Sequence, residues 1–131
     1  MADGLTLDGS CLCGAVAFTA TGVRPTVTFC HCSMCRKTSG HYWAATRADL
    51  GNVRFHGDGG LRWYASSDTA RRGFCELCGS SLFYQPVGAD HIAIAAGCLD
   101  QPTGLAPGKH IFTASAGDYY TIADDAPHFP D

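Results

Sequence analysis

Seven of the eight cysteines lie in three short clusters, and their spacing constrains the fold more than any other feature of the sequence. The clusters are Cys11-Leu12-Cys13, Cys30-His31-Cys32-Ser33-Met34-Cys35 and Cys75-Glu76-Leu77-Cys78-Gly79. Cysteines two positions apart face the same side of an extended strand. A C-x-x-C pair meets across a tight turn, which a glycine such as Gly79 closes in the left-handed conformation. Each cluster therefore directs at least two sulfur atoms toward one point.

The first and last clusters together predict a structural zinc site. Two such pairs supply four thiolates, the ligand set of a closed tetrahedral zinc site that joins distant segments of a chain. We therefore expect Cys11, Cys13, Cys75 and Cys78 to hold one structural zinc ion. A thioredoxin-like redox pair at Cys75 and Cys78 is disfavoured, because the surrounding sequence lacks the βαβ pattern and the helix start that such a pair needs.

The middle cluster predicts a second, more open metal site. Cys30, Cys32 and Cys35 provide three soft ligands, and three protein ligands with an open position are typical of a catalytic zinc that holds a thiolate or polarises a carbonyl. The alternative is a second structural site whose fourth ligand is Cys98, His31 or another histidine. Strand alternation directs the His31 ring away from its two neighbours, and Cys98 follows an apolar run typical of a small buried side chain.

Charged and titratable residues near the clusters give further candidates. Arg36 and Lys37 follow the third thiolate, where a cation favours the anionic sulfur and can bind a carboxylate on a substrate or cofactor. Two solvated cations on a loop are the alternative. His41, His110 and Asp125 are the candidates for a general acid or base.

Composition limits the classes of partner and the compartment. The 131 residues fit one domain over residues 1–131, and 46% hydrophobic with 16% charged residues is typical of a globular protein with no membrane span. A net charge of −3 with scattered basic residues argues against nucleic acid. The absence of a secretion signal predicts a cytoplasmic protein, whose reduced thiols bind metal. A secreted disulfide scaffold is the alternative.

Short apolar runs separated by glycine and proline predict a mainly β fold with little helix. A helical turn is predicted only at residues 33–39. The short connections indicate that neighbouring strands are antiparallel. Residues 107–131 are expected to wrap over the sheets. The predicted strands are Gly14–Ala20, Thr26–Cys32, His41–Thr46, Val53–Phe55, Leu61–Ala65, Ser81–Tyr84 and His91–Ala96.

Five segments resemble the family of glutathione-dependent formaldehyde-activating enzymes, also called the centromere-protein-V-like family. They are GSCLCGAV at 9–16, CHCSMCRKTSG at 30–40, FCELCGSSL at 74–82, GCLD at 97–100 and HIFTAS at 110–115. The resemblance implies an Mss4-like fold of antiparallel sheets pinned by zinc.

The resemblance also implies an activity. The first and last cysteine clusters fall where the family binds structural zinc, and the middle cluster falls where it binds a labile catalytic zinc. The implied enzyme is a carbon-sulfur lyase or synthase that forms S-hydroxymethylglutathione from glutathione and formaldehyde. Its partners would be a small thiol and an aldehyde, and a homodimer is compatible with the sequence. A non-catalytic zinc module that binds protein or carries a thiol adduct is the alternative.

Overall fold

The computed structural model describes residues 4–131, and within this range the chain is mainly β, as predicted. One α-helix, α1 (Ser33–Ser39), and 3-10 turns at Leu50–Asn52, Ala96–Cys98 and Thr113–Ser115 accompany the strands. The strands are β1 (Leu5–Ser10), β2 (Val16–Val23), β3 (Thr26–Cys30), β4 (Trp43–Asp49), β5 (Val53–Asp58), β6 (Leu61–Ala65), β7 (Ala70–Cys75), β8 (Ser81–Pro86), β9 (His91–Ala95) and β10 (Ala106–Ile111).

The strands form a three-stranded and a seven-stranded sheet. The small sheet has the order β1-β2-β5, and the large sheet has the order β10-β3-β4-β9-β8-β7-β6. The prediction of antiparallel neighbours is wrong for one pair, because β10 runs parallel to β3, with Ala106 opposite Thr26 and Ile111 opposite Cys30. A parallel pair needs a long connection, and β10 follows β3 only after six further strands of the large and small sheets.

The two sheets share one hydrophobic core. Alternate residues of β2 are buried, including Val16 and Phe18, and the Phe18 ring lies 5.2 Å from the Phe83 ring on β8. Trp63 stacks on Phe83 at 6.1 Å, which extends the core along the large sheet. A second, smaller cluster contains Trp43 and the cysteine of α1, so the helix has its own apolar contacts.

Three strands were not predicted from the sequence. β1 and β7 carry polar or glycine residues at several positions, and β10 contains proline and glycine, so their local β-propensity is weak. The expected wrapping segment, residues 107–131, is wrong at its start, because residues 107–111 belong to β10. By contrast, β6 and α1 have the predicted bounds.

Truncation of Phe83 is expected to test the shared core. Phe83 is fully buried against Phe18 and Phe55 of the small sheet and Trp63 of the large sheet, so Phe83→Ala should lower the free energy of unfolding by about 3–5 kcal/mol. Tyr64→Ala removes an exposed ring and should change that energy by less than about 0.5 kcal/mol. Urea denaturation measures both; similar losses would contradict a core centred on Phe83.

Candidate metal sites and the adjoining cavity

The first and last cysteine clusters meet in the structure. Their four sulfur atoms lie within 4.8 Å of one another, with 3.6 Å between Cys11 and Cys13 and 3.8 Å between Cys13 and Cys75. A tetrahedral ion with Zn–S bonds of about 2.3 Å separates its ligand sulfurs by about 3.8 Å. The donors and their spacing therefore fit a four-thiolate zinc site, completed by Cys78.

Turns, rather than extended strands, direct these sulfurs. Cys11 and Cys13 lie in a turn after β1, in which the Gly14 N–H donates to the Cys11 carbonyl at 3.2 Å. The extended geometry that we expected for this pair is therefore wrong. Cys75 ends β7, and the Gly79 N–H donates to its carbonyl at 2.7 Å; Gly79 has the predicted left-handed conformation, with φ of +81°.

Ser80 links the two turns of the four-cysteine cluster. Its hydroxyl oxygen accepts a hydrogen bond from the Leu12 N–H at 3.0 Å and lies 3.1 Å from the Cys78 sulfur. The bond from the Ser80 hydroxyl is the largest of several that lower the pKa of Cys78 to about 5. The Val16 N–H donates to the Cys11 sulfur at 3.3 Å. Hydrogen bonds of this kind favour thiolates, the form that binds metal.

Cys30, Cys32 and Cys35 also converge, with their sulfur atoms within 4.8 Å of one another. Cys30 ends β3, Cys32 caps α1, and Cys35 is buried in the first turn of the helix. The Cys35 N–H donates to the Cys32 sulfur at 3.3 Å. A hydrogen bond from the Cys30 thiol is the main cause that lowers the pKa of Cys35 to about 6, and a bond from Arg72 lowers it further. Because Cys30 is the donor of the shared proton, its own pKa is raised.

Arg72 brings a buried positive charge to this cluster. The residue is 6% exposed, and its Nη2 donates to the Cys35 sulfur at 3.6 Å. Its guanidinium lies 5.0 Å from the Tyr84 ring and 5.9 Å from the Trp43 ring. Within residues 4–131 no carboxylate pairs with Arg72, and its buried Nε has no hydrogen-bond partner. Because a buried cation needs an anion, the Cys35 thiolate is its natural counterion.

Neither of the two named candidates for a fourth ligand joins the three sulfurs. The ligand atoms clustered here come only from the three cysteines, as far as residues 4–131 are concerned. The Cys98 sulfur donates to the Ala95 carbonyl at 3.1 Å, and burial raises the pKa of Cys98 to about 12. The His31 ring points away, as the alternation predicted, and its nitrogens contact Tyr120 and His110. Burial lowers the pKa of His31 to about 4.

A cavity of about 680 Å³ opens beside the three-cysteine cluster and is lined by all three of its cysteines. Small-molecule sites typically have volumes of about 300–1,000 Å³. Apolar walls include Trp43 and Tyr84, and none of the lining residues is acidic. Four lining residues are cations: Arg24, Arg47, Arg72 and Lys109.

Five other residues that the sequence singled out lie outside the lining of this cavity: Arg36, Lys37, His41, His110 and Asp125. Arg36 donates from Nε to the Ser115 carbonyl at 3.3 Å, and His41 contacts the Tyr119 hydroxyl at 2.8 Å. Sequence reasoning missed the cationic lining, because its members are far apart in the chain and share no motif.

The model of the family described as glutathione-dependent formaldehyde-activating enzyme matches residues 6–115. The chain therefore belongs to this family, as the resemblance indicated. No helix in the described part of the chain is long and apolar enough to cross a membrane.

Individual relatives agree with this membership. A Halomonas elongata protein, whose name assigns it provisionally to the glutathione-dependent formaldehyde-activating enzymes, is 28% identical over 90% of this chain and 82% of its own length. An uncharacterized lyase of Schizosaccharomyces pombe is 35% identical over 59% of this chain and 56% of its own length. A Rhodobacter sphaeroides crystal structure is 25% identical, with a TM-score of 0.59 over 72% of this chain and 88% of that one.

Gly60 is expected to be essential for the position of the Cys75 sulfur. A Cβ atom at Gly60 would lie 2.8 Å from that sulfur, whereas one at Gly59 would have no heavy atom within 4 Å. Gly60→Ala should therefore displace Cys75, lower the free energy of unfolding by about 1–3 kcal/mol and weaken the affinity of the cluster for added zinc. Urea denaturation with zinc analysis measures both effects. Gly59→Ala is the matched control, and equal behaviour of the two variants would contradict the contact.

Proposed function

We propose that this protein catalyses the formation of S-hydroxymethylglutathione from glutathione and formaldehyde. One structural zinc would be held by Cys11, Cys13, Cys75 and Cys78, and one labile catalytic zinc by Cys30, Cys32 and Cys35. The observation that carries the proposal is a three-cysteine cluster that opens onto a cavity whose charged lining residues are all cationic. Membership of the family supports the choice of glutathione and formaldehyde.

The donors of the three-cysteine cluster suit a zinc ion with an open position. Zinc bound there would lower the pKa of a thiol or polarise an aldehyde oxygen. Arg72 would balance the net charge of −1 that three thiolates leave around a divalent ion.

Glutathione suits the cavity by its charge. The tripeptide carries two carboxylates and one ammonium group at neutral pH, and cations that line a cleft raise the local concentration of an anionic substrate. Arg24, Arg47 and Lys109 are exposed and could receive the carboxylates, while apolar side chains exclude water from the reacting atoms. Arg36 and Lys37, on the neighbouring helix, remain proposed contacts for the part of glutathione outside the cavity.

The proposed reaction joins two substrates without an oxidant or a reductant. The glutathione sulfur forms a bond to the formaldehyde carbon, the carbonyl π electron pair moves to oxygen, and the thiol proton ends on that oxygen. The walls of the cavity would contribute by holding the thiol and the aldehyde at reacting distance, which removes part of the entropic cost of their encounter.

Removal of one sulfur from the three-cysteine cluster should abolish the acceleration. We expect the wild-type protein to form S-hydroxymethylglutathione faster than the spontaneous reaction and Cys32→Ser to give the spontaneous rate, because the cluster loses a ligand. Cys98→Ser is the matched control, since this sulfur lies outside both clusters, and it should keep most of the activity. Equal rates for the wild type and Cys32→Ser, measured by NMR of the adduct, would remove the proposed catalysis.

A metal count with mild chelation separates this enzyme from a non-catalytic zinc module. The catalytic proposal predicts two zinc ions, one lost readily from the three-cysteine cluster and one retained by the four-cysteine cluster. Two equally resistant ions would favour the module, in which both metals are structural. Cys32→Ser should retain only the resistant ion.

Loss of the exposed cavity cations should weaken glutathione binding. Each exposed ion pair contributes about 0.2–1 kcal/mol, so the double variant Arg47→Gln/Lys109→Gln should raise KM for glutathione about fivefold with little change in kcat. Added salt should raise the wild-type KM more than the variant KM. Arg54→Gln lies outside the cavity lining and is the control. An unchanged KM for glutathione in Arg47→Gln/Lys109→Gln would contradict the cationic site. A separate double variant, Arg36→Gln/Lys37→Gln, tests by the same KM measurement the contact predicted from the sequence.

A further inference from the structure

A continuous line of hydrogen bonds runs behind the three-cysteine cluster, on the face of β3 opposite the cavity. The His110 Nε2 lies 3.0 Å from both oxygens of Asp124, and the His110 Nδ1 lies 2.8 Å from the His31 Nε2. The His31 Nδ1 lies 2.7 Å from the Tyr120 hydroxyl, which accepts from the Gly117 N–H at 3.2 Å. We call Asp124, His110, His31 and Tyr120 the tail network.

The donor and acceptor of every hydrogen bond in the tail network can be assigned by starting from the Asp124 carboxylate. An ionised carboxylate only accepts, so the His110 Nε2 must donate, and the Nδ1 of a neutral His110 must accept. The His31 Nε2 is then a donor and the His31 Nδ1 an acceptor, which receives the Tyr120 hydroxyl proton. The Tyr120 oxygen remains free to accept from Gly117. All ring nitrogens are satisfied, as burial of both histidines requires.

The tail network is attached directly to the metal-binding segment. His31 is fully buried between Cys30 and Cys32, and its backbone N–H donates to the Ile111 carbonyl at 3.0 Å. Its ring packs against the rings of Tyr42 and Tyr120, with centroid distances of 4.7 and 5.5 Å. Because the ring is buried and bonded at both nitrogens, it anchors the backbone of residue 31, which also carries the two neighbouring cysteines.

We propose that the tail network holds His31 as its Nε2–H tautomer and thereby fixes the directions of the Cys30 and Cys32 side chains. Tyr120, His110 and Asp124 are thus positioning residues for the three-cysteine cluster. The inference rests on the proposed function only in taking these cysteines as metal ligands. Partners that orient the ligands of a metal site typically contribute about 10–100-fold to its affinity.

Two other states of the network make different predictions. A doubly protonated His110 would donate from both nitrogens, which would reverse its bond with His31. A metal ion held by His110, Asp124 and His128, whose ligand atoms lie within 4.8 Å of one another, would replace the proton on Nε2. Both states change the protonated nitrogen, which NMR observes directly.

The first experiment is long-range ¹H–¹⁵N NMR of the zinc-loaded protein at pH 8. Wild type should show His31 and His110 as Nε2–H tautomers. In Asp124→Asn the side-chain oxygen should keep the bond from the Ala126 N–H, 3.0 Å in the native protein, so that the amide N–H₂ faces His110 and donates. Both rings should then become Nδ1–H tautomers, as an Asp-to-Asn change produces the wrong tautomer in a catalytic triad.

Asp125→Asn is the matched control for this experiment, since the exposed Asp125 lies outside the tail network, and it should leave both tautomers unchanged. An Nδ1–H tautomer of His31 in the wild type would overturn the inference. So would an Nε2–H tautomer retained in Asp124→Asn, or loss of the His110 Nε2 proton when excess zinc is added.

The second experiment measures cobalt(II) affinity at the three-cysteine cluster by its thiolate charge-transfer absorption, in protein whose four-cysteine cluster keeps zinc after mild chelation. Tyr120→Phe removes the donor to His31, so the affinity should fall about tenfold, with urea denaturation confirming that the variant folds. Tyr119→Phe, which removes a hydroxyl bonded to His41, should remain within twofold of the wild type. An unchanged affinity in Tyr120→Phe would overturn the inference. Failure of the proposed function is separate, since it appears as absent glutathione chemistry in the unaltered protein.

Discussion

The crowding of cysteine sulfurs into two small clusters is the constraint on which this structure depends, because sulfurs this close together can all be anions only beside a cation. Four sulfurs from two turns lie within 4.8 Å of one another, at a spacing that matches the edges of a zinc tetrahedron. The cluster joins the end of β1, in the small sheet, to the end of β7, in the large sheet. The same point therefore connects both sheets at the edge of their shared core, and a bound cation there would stabilise the fold as a whole.

The three-cysteine cluster meets the same constraint with a protein cation. Arg72 is buried, lacks a carboxylate partner within the described residues, and donates to the Cys35 sulfur. An arginine in such surroundings needs anions, and three thiolates supply them even after a divalent ion is bound. The arrangement leaves one side of the cluster facing a cationic cavity and the other side supported by the tail network. Charge balance thus gives one physical reason for the proposed metal site and for the proposed binding of an acidic thiol.

The C-terminal part of the chain gives the cysteine segment its fixed direction. β10 pairs in parallel with β3. The chain beyond β10 then folds back alongside it, where the Pro127 carbonyl accepts a hydrogen bond from the His110 N–H at 2.8 Å. Tyr120 and Asp124 reach the buried histidines from this returning segment. The sequence prediction of a wrapping tail missed the part that residues 107–111 take in the large sheet.

Local spacing in the sequence was sufficient for the cysteine pairs, the helix after the middle cluster, the left-handed Gly79 and the direction of the His31 ring away from Cys30 and Cys32. Each of these depends on residues within a few positions of one another, where turn geometry and strand alternation act. The tertiary structure alone decided the parallel pairing of β10, the approach of Arg72 to Cys35 and the cationic lining that includes Arg47 and Lys109. These side chains come from β4, β7 and β10, and their meeting depends on the strand order. The strand order depends on which apolar strand faces pack against one another to form the core. No short segment of sequence contains that information.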